Sequence, residues 1–290
     1  MDLTDDWPTV RLDLDSRPET LTLVRGALGG VADQLALDPE LLDDLKTAVS
    51  EACNNVVMHA YDEDDPGPLE VLLYARNDGI EVLIRDQGSG IPAVAPSDDR
   101  LQGVGLPVIR ALTQEAEFRP VPDGGTEVRM LFAGERDGKR LFTEPAKAAP
   151  EQGWTDGLSG DAVVSLSPVS FVGGVLGRLA RALAAKARFS LDRFSDVYLV
   201  TDAIAAHAAR SASGERISFG ISTDVRRLEL TIGPFRDGAS EWLNDRGSGQ
   251  EADDALAMLS DQVDIRPVGA GEALYVVMLD HRPVGRPPVV

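Results

Sequence analysis

The spacing of apolar positions changes several times along this chain, and each change marks an element. Thr9 to Leu14 alternates as TVRLDL, the two-residue period of a half-buried strand. Leu21, Val24, Leu28, Val31 and Leu35 then recur at helical spacing behind an early proline, so a helix runs from about Pro18 to Ala36. Asp38-Pro39-Glu40 opens a second helix, and Leu41, Leu45, Ala48, Val49, Ala52, Val56 and Val57 carry it to about Ala60. The acidic, proline-bearing run from Asp62 to Pro68 ends it. Leu69–Arg76 and Ile80–Asp86 read as a hairpin turning at Asn77-Asp78-Gly79. Gly103 to Leu112 opens a third helix. Glu115–Val121 and Thr126–Phe132 form a second hairpin around Pro122-Asp123-Gly124-Gly125. Strand, helix, helix, two strands, helix, two strands is not a βαβ alternation. It predicts an α+β fold: a two-layer sandwich with a mostly antiparallel sheet and helices on one face.

From 134 to 160 the pattern dissolves into polar, proline- and glycine-bearing sequence, which reads as a linker between a domain at 1–133 and another at 161–290. The second half echoes the first. DVYLVTDAIAAHAARSA, Asp196 to Ala212, lies against LKTAVSEACNNVVMHAY without a gap, and the strand pair ISFGISTD and RRLELTI mirrors LEVLLYARN and GIEVLIR. An internal duplication of about 120 residues is expected. In this alignment Asp202 stands opposite Glu51, Ala206 opposite Asn55, and Pro234-Phe-Arg236 opposite Asp86-Gln-Gly88. Gly247-Ser-Gly249 faintly echoes the third glycine pair, off register. The second copy is expected to fold alike without binding nucleotide.

The candidate chemistry lies in the first half. On a helix, Glu51, Asn55 and His59 share one face. A carboxylate and an amide stacked one turn apart suit a general base beside a ligand for a hard cation. Asp86, at a strand end, can accept from the exocyclic amine of adenine. Gly88 and Gly90 allow a tight turn and room for the ring. Gly103 and Gly105 stand at a helix start, where free N–H groups attract phosphate. Thr126 can buttress Asp86. Arg100 and Arg110 are the nearby cations, and no lysine lies in these motifs. Each motif alone is weak: ExxxN reads as a solvated stripe, DQGSG as a turn and GVG as a flexible loop. Their order and separations together point to an ATP and Mg2+ site. His59 suits the helix C-terminus. Cys53 suits a buried small residue. His207 is expected to be structural, without an evident partner.

Composition narrows the class. At 290 residues with 43% apolar content the chain has room for two globular domains. One cysteine excludes an internal disulfide framework, and three histidines are too few for an ordinary structural zinc site. The formal charge of −20 argues against nucleic acid and anionic membrane as partners. No apolar run reaches spanning length and the N-terminus is acidic, so a cytoplasmic protein is expected.

At these residues the first half resembles the ATP-binding fold shared by gyrase, Hsp90, histidine kinases and MutL. Glu51 and Asn55 match its first box, Asp86, Gly88 and Gly90 its second, and Gly103 and Gly105 its third. Within that superfamily it is most similar to the bacterial anti-sigma-factor serine kinases, which share the EAxxNxxxHAY form. The resemblance covers Val10 to Phe132, and Val163 to Leu279 as a degenerate echo. It implies the Bergerat arrangement of sheet and helices. It also implies a nucleotide site that includes Ile91, Val104 and Leu106 beside the motif residues. In the family the glutamate activates a serine hydroxyl of an anti-anti-sigma protein and the asparagine binds magnesium; those roles pass to Glu51 and Asn55. The family often carries an arginine directly before the lid glycines, where this chain has Leu101-Gln102 with Arg100 one step back. Two functions follow: a regulatory serine kinase acting on an anti-anti-sigma protein or holding a sigma factor, or a non-catalytic nucleotide-dependent binding module. Family members usually pair as homodimers, so the second copy is expected either to supply an intramolecular pseudo-dimer or to leave a homodimer possible.

Overall fold

The computed structural model describes residues 7–62, 64–76, 79–89, 105–121, 124–133, 157–240, 251–269 and 271–281. The first half runs β1 (Val10–Asp15), α1 (Thr20–Leu35), α2 (Pro39–His59), β2 (Pro68–Arg76), β3 (Gly79–Asp86), α3 (Gly105–Leu112), β4 (Glu115–Pro120) and β5 (Thr126–Ala133). The second repeats that order: β6 (Ala162–Leu166), α4 (Val172–Lys186), α5 (Leu191–Ser211), β7 (Ile217–Asp224), β8 (Arg227–Arg236), α6 (Glu251–Leu259), β9 (Gln262–Val268) and β10 (Gly271–Leu279).

All ten strands belong to one sheet, ordered β4-β5-β3-β2-β1-β6-β7-β8-β10-β9. Every pairing between them is antiparallel. The two halves meet at the middle of the sheet, where Leu12 lies opposite Val164. From that pair matching ladders run outwards. Leu12 faces Val71, Val71 faces Ile84 and Ile84 faces Val128. On the other side Val164 faces Phe219, Phe219 faces Ile232 and Ile232 faces Leu274. All eight side chains are buried, because the two-residue period sends each of them to the helix-covered face.

The other face of the first half is ionic around a small patch of Leu72, Tyr74 and Leu83. Glu70 lies between Arg11 (3.1 Å) and Arg85 (3.3 Å), and Arg85 reaches Glu127 at 2.8 Å. Glu81 pairs with Arg76 and Arg129. Such cross-strand pairs let a sheet face carry charge without a covering layer.

The helix layer also joins the halves. α1 and α4 cross antiparallel at Gly30 and Gly174, so close that a Cβ on either would fall inside the other's carbonyl group. Further along, Gly26 meets Arg178 and Leu179 at ordinary contact distance. Arg178 pairs with Asp33, and the Trp7 ring stacks under Arg216 at 3.4 Å. Small residues let the helix backbones touch, and the sheet and the helices thus join the halves in both layers. The segment expected to link two domains falls mostly outside the described residues.

Candidate nucleotide site

The second helix explains the site. Asp38 caps it, its side chain accepting from the Glu40 N–H at 2.9 Å, with Pro39 in the first turn. Leu45, Ala48, Val49, Ala52, Cys53 and Val56 bury one face against the sheet. That fixes the rotation of the helix and leaves Glu51 and Asn55 half-buried on the adjacent face. Both reach the start of α3: a Cβ on Gly105 would lie 3.0 Å from Glu51 Oε2 and 3.5 Å from Asn55 Oδ1. The acid, the amide and a helix N-terminus therefore meet at one place. Burial pushes the Cys53 thiol up to about 12, so it stays a neutral packing group.

Asp86 ends β3 and is buried. It accepts from the Gly88 N–H at 2.9 Å and from both the N–H and the hydroxyl of Thr126, at the start of β5. Burial raises its pKa above the ordinary aspartate value, and the bonds from Gly88 and Thr126 oppose the rise. Glycine is required twice here. A Cβ on Gly88 would overlap the Ala60 carbonyl. Gly125 has φ of +89°, and a Cβ there would overlap the Asp86 carbonyl.

The loop after Asp86 is held by the end of α2. The Ser89 N–H donates to the Ala60 carbonyl at 2.9 Å, and its hydroxyl donates to the His59 carbonyl at 3.2 Å. The His59 ring itself is exposed. The Tyr61 hydroxyl accepts from the Gln87 N–H at 2.7 Å and donates to the Pro68 carbonyl at 2.8 Å. Sequence reasoning passed over Tyr61 and Ser89. The signal for Tyr61 was its place directly after the helix that carries Glu51 and Asn55.

Glu51, Asn55, Asp86, Gly88, Gly105 and Thr126 are thus placed around the junction of α2, β3, β5 and α3. Leu106 follows Gly105 in α3. Arg110 lies in the last turn of α3, 5.9 Å over the Phe118 ring and away from Gly105. Gly90, Ile91, Arg100, Gly103 and Val104 lie outside the described residues.

A family model for the histidine kinase-like ATPase domain matches residues 14–132. The serine-protein kinase RsbW of Bacillus licheniformis is 31% identical over 132 residues, 42% of this chain and 82% of that protein. This chain belongs to the histidine kinase-like ATPase family. RsbW of Bacillus velezensis is 38% identical over 79 residues, so the chain spans about half of that relative, 49% of its length. Among solved structures, one of RsbU and RsbW domains from Mycobacterium tuberculosis aligns at 23% identity over 42% of this chain and 32% of that one. Its TM-score is 0.34.

The family implies use of ATP, and the ATPase-family half fits it on its own geometry: Gly88 and Gly125 sit where a Cβ would close the turn beside Asp86, and a half-buried acid and amide converge on a helix start. Among the described residues no group of three His, Cys, Asp or Glu is placed to hold a metal. Among the described residues no helix is long and apolar enough to cross a membrane.

The same places in the second half corrected one expectation. α2 and α5 both have 21 residues, with Ala60 and Ala212 as their C-caps. Ala60 touches the loop after β3, and Ala212 bridges to Phe235 at the end of β8. The gapless sequence match was one residue out of step: Ala203, not Asp202, stands opposite Glu51, and His207, not Ala206, opposite Asn55. Single-residue slips are easy in alanine-rich helices, where the shared apolar pattern tolerates them. Asp202 is an exposed acid. Asp86 does fall opposite Pro234, since both lie two residues past the matched Ile84 and Ile232.

His207 is fully buried. Its Nε2 lies 3.2 Å from Ser240 Oγ, its Nδ1 lies 3.5 Å from Ser211 Oγ, and its ring meets Phe235 edge-on at 4.8 Å. The buried Ser240 N–H donates to Glu272, which holds the place of Thr126 on the partner strand.

Proposed function

We propose that the first half binds ATP with Mg2+ and serves as a regulatory protein serine kinase of the anti-sigma-factor type, acting on a serine of an anti-anti-sigma partner. The observation that most supports this reading is the convergence of Glu51 and Asn55 on Gly105 at the head of α3. The relatives' name, serine-protein kinase, supports it independently.

Bound ATP would supply the phosphoryl group, with Mg2+ held at Asn55 supplying charge neutralisation. Asp86, held by Thr126 and Gly88, accepts from the exocyclic amine of adenine. Asn55 offers its side-chain oxygen to the cation. The α3 N-terminus directs N–H groups at phosphate oxygens, as helix starts do. Glu51 takes the proton of the incoming serine hydroxyl as that oxygen attacks phosphorus and the bond to the leaving ADP breaks. With no lysine in the nucleotide motifs, nucleotide affinity should collapse in EDTA.

The second half takes the place a second subunit would fill, giving a one-chain pseudo-dimer with one nucleotide site. What supports this is the sheet continuing through β1 and β6 and the glycine contact between α1 and α4.

The test is incubation with labelled ATP and a candidate anti-anti-sigma protein. Phosphoserine that forms with wild type and disappears in Glu51→Gln supports the kinase. Tight ATP binding with no transfer overturns the kinase and leaves a nucleotide-dependent binding module.

A further inference from the structure

Tyr61 carries a hydroxyl that none of the proposed roles uses. It follows directly on α2 and is half-buried, with its ring over Gly67 so tightly that a Cβ there would overlap it. Its hydroxyl links two backbones that do not otherwise bond at this point: it accepts from Gln87 and donates to Pro68. Pro68 begins β2 and Gln87 directly follows Asp86, so the phenol ties the exit of β3 to the entry of its neighbour. Gly67 is anchored in turn at the end of β1: its N–H donates to Ser16 Oγ at 3.1 Å, and its carbonyl accepts from the Ser16 N–H at 2.9 Å. The backbone on the C-terminal side of Asp86 is thus clamped by Tyr61 and, one and two residues on, by Asp86 itself and the Ala60 carbonyl.

The second half shows the place without the phenol. One residue past the C-cap Ala212 stands Ser213, whose N–H and hydroxyl both donate to the Pro234 carbonyl, at 3.1 and 3.2 Å. Pro234 occupies the place of Asp86. Where the carboxylate is absent, so is the tyrosine.

We propose that Tyr61 is the positioning residue of the adenine-reading carboxylate, holding the Gln87 backbone so that Asp86 meets the exocyclic amine of the base. This inference rests on the assignment of Asp86 to adenine. Tyr61 touches no reacting atom; it acts through Asp86. The phenol must keep its proton to donate to Pro68, and burial holds its pKa above the ordinary tyrosine value, so it does so at neutral pH.

The experiment compares binding of ATP with inosine triphosphate, which lacks the exocyclic amine, in wild type and Tyr61→Phe. The phenylalanine keeps the ring over Gly67 and removes only the bridging hydroxyl. We expect ATP affinity to fall about three- to ten-fold, the effect of one lost hydrogen-bonding group, while inosine triphosphate affinity stays level. The preference for ATP shrinks accordingly. In the kinase assay KM for ATP rises and kcat holds. Tyr61→Ser, which copies the second half, removes the ring as well and loses more of the preference. A Tyr61→Phe variant that melts at lower temperature yet keeps the full ATP preference overturns the inference, since that is the behaviour of a purely structural tyrosine. A wild-type chain that binds both nucleotides equally overturns the assignment of Asp86 to adenine, and this inference with it.

Discussion

The two halves share a frame and differ at one place. In each, a helix of 21 residues lies across the sheet between a first strand and a hairpin. In the first half Glu51 and Asn55 of α2 are half-exposed and Gln87 is exposed, beside a buried Asp86. In the second half Ala203 and His207 of α5, Phe235, Ser240 and Glu272 are all buried, with His207 against Phe235 and Ser240, and Ser240 bonded to Glu272. The contrast teaches how one frame can leave polar groups open in one half and satisfy them internally in the other. Most core positions that face the sheet are apolar on both sides, Thr201 opposite Val49 being an exception whose hydroxyl donates to the Val197 carbonyl, whereas the positions of Glu51, Asn55 and Thr126 are taken in the second half by Ala203, His207 and Glu272. A buried imidazole between two serine hydroxyls satisfies polar groups that would otherwise need a ligand or water.

The largest test of this contrast is chemical. Glu51→Gln should lower serine phosphorylation at least about a hundredfold, the usual loss on removing a general base, with ATP binding retained. Labelled transfer and calorimetry on the same protein measure both. Calorimetry should also return one nucleotide per chain; a stoichiometry near two would erase the asymmetry between the halves.

The next effect concerns the seam. Glycine to alanine within a helix ordinarily stabilises by about 0.5–1 kcal/mol. Gly26→Ala should follow that rule, because a Cβ there meets only Arg178 and Leu179 at 3.7 and 3.8 Å. Gly30→Ala should do the opposite and destabilise by about 1–3 kcal/mol, because its Cβ overlaps the Gly174 carbonyl. Thermal melting of the two variants reads the difference, and equal melting temperatures would mean the helices do not touch there.

A smaller effect follows pH. Burial raises the Asp86 pKa, so its neutral form takes over at a higher pH than for an exposed aspartate. The ionised carboxylate is the better acceptor. ATP affinity should therefore fall on acidification at a pH above the ordinary aspartate midpoint, and the fall should be absent in Asp86→Asn, whose affinity is already low. The same raised pKa makes ionisation of Asp86 unfavourable to the fold: that contribution to stability is full below the unfolded-state pKa and lost as pH rises through the folded one. Titrating affinity against pH checks the first statement. The smallest expected effect is Asp202→Asn, an exposed change that should leave melting and transfer within about 0.5 kcal/mol of wild type.

Much of the frame was legible in the chain because its signals are local. The two-residue alternation of Val10, Leu12 and Leu14 and the helical spacing of Leu45, Ala48, Val49 and Ala52 each gave the element and its buried face. Boundaries moved by a residue or two: Pro18 lies in the turn before α1, where Thr20 Oγ1 donates to the Asp15 carbonyl. That Glu51 and Asn55 share a face followed from helical periodicity, and the place of Thr126 directly after Gly125 suggested a buttress for Asp86; that β5 lies beside β3 was not legible. The register of α5 was not legible, because Ala203, Ala205, Ala206, Ala208 and Ala209 make neighbouring alignments almost equivalent; only the caps and the contacts at Phe235 separate them. Nor was the Tyr61 bridge legible. It joins two backbone groups brought together by β2 pairing with β3, and side-chain identity gives no sign of that.

The middle of the sheet carries one last consequence. β1 has a strand on each side, so its hydrogen-bonding edge is fully used within one chain. Released from the rest by proteolysis or by truncation after Ala133, the first half would bear a bare apolar strand edge beside a stripe of uncovered helix glycines. Such an edge is a template for its own kind, and the liberated fragment should associate with itself through it.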